Sequence, residues 1–172
     1  MEPEIIEHYE EQKDRPPFLI VLLVLTALNL VSSLYNSVTG LLSEKPVVDR
    51  EQTLGPEFEE ARDEIATQEG GEEALEMLDG VLNHFFYLMT EGYYANLILQ
   101  IITVLVGVLA VVLLFKMKKL GFHVYLIYTL LGVFGFYLIM PAAAVSGIII
   151  FAFAVMGGIM ALLYAINFKH LK

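Results

Sequence analysis

The sequence predicts an all-α membrane protein: a four-helix transmembrane bundle with an extracytoplasmic helical hairpin between helices 1 and 2. Three observations lead there. A chain of 172 residues that is 57% hydrophobic is too apolar for an ordinary soluble domain. Four runs, 18–43, 92–115, 120–140 and 142–168, contain no Asp, Glu, Lys or Arg, and each reaches the roughly 20 residues that cross the hydrocarbon layer as a helix. All twenty acids lie between Glu2 and Glu91, so residues 92–172 hold five formal charges, every one a lysine.

The elements follow in chain order. Residues 1–16 form an acidic cytoplasmic tail and 17–42 the first span. That span has an acidic leading region, a long apolar run and no A-x-A site after it, so it reads as an uncleaved helix rather than a signal peptide. Residues 43–91 make the acidic hairpin. Gly55-Pro56 opens its first helix, which carries Phe58, Ile65 and Ala66 on a thin apolar side, and Gly70-Gly71 closes it.

The second arm starts at Glu72, its early acids matched to the positive helix N-terminus. Leu75, Leu78, Leu82, Phe85 and Met89 follow at spacings of 3, 4, 3 and 4, an amphipathic stripe and a candidate partner face. With no proline and only Gly92 at the join, this arm is expected to run into the second span as one helix over 72–115, projecting as a hairpin. The alternative lays the stripe on the bilayer surface.

The second span is 92–115, followed by a cytoplasmic elbow at 116–119 with three lysines, a third span at 120–140, a fourth at 141–168 and a cytoplasmic tail at 169–172. Pro141 divides a charge-free stretch too long for one crossing. In the elbow, lysines suit anionic headgroups and Phe122, His123 and Tyr125 an interfacial belt. With both termini inside, seven of the ten basic residues are cytoplasmic and only Lys45, Arg50 and Arg62 lie outside, as the positive-inside rule favours.

Two stripes mark the spans. In the first, Thr26, Asn29, Ser33, Asn36 and Gly40 share a face, and in the second Asn96, Gln100, Thr103, Gly107 and Ala110 do so. Equal depth puts Asn36 level with Asn96, Ser33 with Gln100 and Asn29 with Thr103. Interhelical polar packing between these stripes is the ordinary reading, and a polar route for a solute is the other; the stripes hold no ionisable group of the kind that marks ion pathways. The fourth span carries small residues at Ala143, Gly147, Ala154, Gly158, Ala161 and Ala165, a close-packing face for the bundle or for a homo-oligomer or partner.

Chemistry is harder to find. There is no cysteine, no Glu-x-x-His or His-Glu-x-x-His pair, no EF-hand loop and no Gly-rich phosphate loop. No catalytic, cofactor or metal residues are assigned, and the acids read as a solvated helix face. No nucleic-acid partner is expected.

The segments "RPPFLIVLLVLTALNLVSSLYN", "GGEEALEML", "KMKKLGFHVYLIYTLLG" and "ALLYAINFKHLK" resemble a group of small, functionally uncharacterised four-span membrane proteins of Bacteroidetes bacteria. That resemblance covers most of the chain and implies a bacterial inner (cytoplasmic) membrane location with no catalytic residues. The layout is similar to the claudin-like tetraspan arrangement, without that family's cysteine pair and tryptophan motif. The expectation is a non-enzymatic multi-pass subunit, accessory or scaffolding, embedded in the lipid bilayer and acting on membrane or envelope protein partners. The alternative is a small transporter or channel subunit using the polar stripe.

Overall fold

A computed structural model describes residues 16–172, with the backbone alone at Glu51. The acidic tail with Lys13, Arg15 and His8 lies outside the described residues. Every regular element described is helical: α1 (Pro17–Leu42), α2 (Arg50–Leu54), α3 (Pro56–Ala66), α4 (Gly71–Met89), α5 (Tyr93–Phe115), α6 (Lys119–Phe134), α7 (Phe136–Ile139) and α8 (Gly147–Ile166), with single 3-10 turns at Ala142–Ala144 and Phe168–His170. α1, α5 and α8 with its following turn are each long and apolar enough to cross a membrane. These three helices mark a membrane protein. α6 has 16 residues, about 24 Å of helix, and α7 continues it by four beyond Gly135.

α5 is the central helix, packed against α1 on one side and α6 on the other; α8 packs on α6 and makes little contact with α1. At one end of the bundle Leu19, Leu22, Leu23, Ala110, Leu114, Met117, Tyr125, Tyr164 and Leu171 form one buried cluster. Small residues allow the approach there. A Cβ on Gly121 would sit 2.6 Å from the backbone nitrogen of Leu114, so α6 leaves the elbow directly against the end of α5.

The elbow itself turns on Met117 in the left-handed region, φ 57°, a conformation costly for a residue with a side chain. Its side chain is buried in the cluster, and its carbonyl accepts the Lys172 N–H at 2.7 Å while the Lys119 N–H donates to the Lys172 carbonyl at 2.9 Å. Tyr125, expected at the interface, instead turns inward onto Tyr164, ring centroids 4.4 Å apart. His123 stays exposed, hydrogen-bonded to the Lys119 carbonyl.

The expected continuous helix over 72–115 is interrupted. α4 ends at Met89 and α5 restarts at Tyr93. Thr90 folds its hydroxyl back onto the Phe86 carbonyl at 2.6 Å, and the Gly92 N–H reaches the Tyr87 carbonyl at 2.8 Å. A β-branched residue bonding backwards and a glycine two positions on weaken the helix at this point. The break lets α4 fold onto the bundle end, touching α5, α8 and the turn at 142–144.

α3 lies along α4 across a turn in which Gly70 takes φ +78°. Arg62 bridges both carboxylate oxygens of Asp79, the longer contact 3.0 Å, and Arg50 reaches Asp79 at 3.6 Å and Asn83 at 2.8 Å. The hydrogen bond from Arg62 holds the Asp79 carboxyl below its ordinary range, and the same bond holds the Arg62 guanidinium above its own.

Candidate functional site

The polar stripes of α1 and α5 meet, but one helical turn away from equal depth. The Ser37 hydroxyl donates to the Gln100 side-chain oxygen at 2.9 Å, and the Tyr93 hydroxyl donates to the Gly40 carbonyl at 3.1 Å. Glycines set this register. Gly40 admits the Leu97 and Tyr93 side chains, and Gly107 admits Leu30 and Tyr128. Ser37, which the stripe pattern passed over, is fully buried.

The rest of the stripe turns away from the α1/α5 seam. Thr26 pairs with the Tyr164 hydroxyl of α8 at 2.8 Å, and Asn29 donates from its amide nitrogen to the Tyr128 hydroxyl of α6 at 3.3 Å. Asn36 is exposed. Asn29, Ser33, Asn96, Gln100 and Thr103 line a hollow of about 580 Å³ running up to Phe85, Leu88 and Met89 of α4. A second hollow of about 410 Å³ adjoins it toward the buried cluster, sharing Asn29, Thr103, Tyr128, Gly132 and Phe153.

Together these make one cleft with a polar floor from α1, α5 and α6 and an apolar wall from α8. Its side lies between α1 and α8, which are joined near Thr26 and Tyr164 and have little contact elsewhere. At the end marked by Leu19, Leu114 and Leu171 the buried cluster closes it. No Asp, Glu, Lys or Arg lines either hollow.

α4 covers the other end through His84, close in sequence to Glu76 and Asp79 but without a metal-ligand spacing to them. His84 is 1% exposed, stacks edge-on to Phe136 at 4.8 Å and accepts the Ser146 N–H on Nδ1 at 3.3 Å. Burial pushes its pKa down, opposed by a backbone hydrogen bond with Ala144. A histidine one position ahead of Phe85 in the amphipathic stripe was the available signal. The stripe itself divides: Leu75, Leu78 and Leu82 are half-buried, while Phe85 and Met89 are exposed and line the cleft.

The small-residue face of α8 looks outward. Gly147, Ala154, Gly158 and Ala165 are exposed and only Ala161 is partly buried, while Ala143, expected on the same helix, is exposed in the 3-10 turn before it; nothing lies within 4 Å of a Cβ built on Gly147 or Gly158. The glycine that packs within the chain is the neighbouring Gly157, against Thr129. Among the described residues no cluster of His, Asp and Glu could hold a metal ion. No family model, curated protein or solved structure matches the chain.

Proposed function

We propose that the protein is a non-enzymatic multi-pass membrane subunit, accessory or scaffolding, that works by contact with other membrane or envelope proteins. In this reading α6 with α7 supplies a fourth crossing, both termini are cytoplasmic, and the acidic α3–α4 hairpin faces outward from a bacterial inner membrane. The lysine distribution supports that orientation.

The outward small-residue face of α8 carries the reading. Glycine in a helix interior costs about 1 kcal/mol against alanine, and Gly158, in the middle of α8, meets no neighbour in its own chain. Such residues serve close backbone approach by another helix. α8 is also the least buried of the three long apolar helices, 11% of its apolar window against 28% for the other two.

The test is native mass in mild detergent and in lipid nanodiscs. The reading expects an assembly heavier than the 19.3 kDa chain, dissociated by Gly158→Leu. A monodisperse monomer in both media refutes it. The rival reading, a solute route, draws support from the polar lining of the cleft; the buried cluster across one end of the bundle counts against it.

A further inference from the structure

We propose that the cleft between α1 and α8 binds a neutral, lipid-soluble molecule. Its compact carbonyl or hydroxyl head would sit on the polar floor and its apolar tail would leave sideways between the two helices.

Depth supports this first. Asn29 is twelve residues from the start of α1 and thirteen from its end, and Thr103 is ten and twelve residues from the ends of α5. At about 1.5 Å per residue, the floor runs from Asn96, three residues into α5, down to Asn29 and Thr103 near the middle of both helices, where a charged headgroup would lose its hydration without compensation. The lining offers no Lys or Arg for a phosphate and no carboxylate for an amine, and its one imidazole, His84, is held toward the neutral form by burial. It offers amides and hydroxyls, which donate to carbonyls and accept from hydroxyls. The Asn96 side-chain amide makes no hydrogen bond among the described residues, so it is available to a ligand.

Shape supports it second. Gly132 lines both hollows, and a Cβ built on it meets nothing within 4 Å. It is not there for close helix contact, unlike Gly107 or Gly121; its effect is to keep the cleft wide at the level of Asn29 and Tyr128. Phe153, Met156 and Met160 form the apolar side, and methionine adapts to irregular tails.

The full-length protein in phosphatidylcholine nanodiscs is irradiated with three probes carrying the same diazirine-bearing tail: a prenyl quinone, a diacylglycerol and a phosphatidylglycerol. The expected result is saturable labelling at Phe153, Met156 or Met160 by a neutral probe, competed by its unlabelled form, with phosphatidylglycerol weak at those positions. Preference for the quinone identifies a carbonyl-headed ligand, and preference for the diacylglycerol a hydroxyl-headed one.

Gly132→Leu fills the cleft and lowers capture about tenfold, as expected for a side chain lodged in a ligand pocket. Asn96→Leu removes one hydrogen-bonding group and lowers it roughly fivefold. Gly158→Leu, on the outward face, leaves capture unchanged even where it disrupts assembly, which separates this proposal from the partner reading. Equal labelling by phosphatidylglycerol, labelling that does not saturate, or capture retained in both cleft variants overturns it.

Discussion

At the end of the bundle defined by Leu19, Leu114 and Tyr164, four helices converge on a dry cluster and the chain's last residues bond back to the elbow. At the opposite end the same helices separate, amides and hydroxyls face a hollow, and an amphipathic helix lies across the opening. The two ends differ in lining, apolar at the cluster and bearing amides and hydroxyls at the hollow, and in the spacing of α1 and α8, which are joined at Thr26 and Tyr164 and part beyond them. A sealed end gives rigidity, and an open end gives a site.

The largest effect is expected at Gly121. Gly121→Ala forces a methyl group against the backbone of Leu113 and Leu114, so α6 is displaced from α5 at the sealed end. A loss of about 3 kcal/mol or more, or failure to recover folded protein, should show in unfolding by thermal melt in detergent. Wild-type stability in this variant would mean that the elbow is not the rigid point.

Leu114→Ala comes next, at about 2–5 kcal/mol for a side chain 1% exposed in the cluster. The matched change at the open end, Phe153→Ala, removes a larger but half-exposed side chain and should cost about 1 kcal/mol or less. Equal costs for the two variants would erase the distinction between the ends.

His84→Leu should cost about 1–3 kcal/mol, because the Ser146 N–H loses its acceptor. Hydrogen exchange at 140–147 should report the loss locally. Burial lowers the His84 pKa below its ordinary 6.5, so the unfolded chain binds the proton more readily. The contribution is complete above pH 6.5 and falls as pH drops below it, which loosens α4 over the cleft; His84→Gln should flatten that dependence. Asp79, also lowered, acts in the same direction but only as pH approaches 3.8 and below.

The smallest effect separates the ends by sign. Gly132→Ala adds a methyl group that touches nothing and removes a helix-weakening glycine, so it should stabilise by up to about 1 kcal/mol. Destabilisation would show that the α6 wall is packed after all.

Much of the helical layout was legible. The start of α1 at Pro17 and the end of α5 at Phe115 follow from charge-free runs and lysines, all local signals; Pro141 marks the interruption, but the helix expected from it starts only at Gly147, after the 3-10 turn at Ala142–Ala144. Breaking the helix at 90–92 was not legible from glycine alone, because it depends on Thr90 bonding backwards and on His84 docking to Ser146, a residue 62 positions away. Ser37 escaped notice for a related reason. It lies one residue beyond Asn36, and only the one-turn offset set by Gly40 and Gly107 places it opposite Gln100.

The sequence by itself determined the class, the long apolar helices and the clustering of polar side chains on particular faces, since hydropathy and a period of 3.6 act within one helix. Which neighbour each face meets was decided only in three dimensions. Thr26 went to α8, Asn29 to α6 and Gln100 to Ser37, while the small residues of α8 went outward. Contact between helices depends on the heights of side chains on both partners at once. No single helix carries that information.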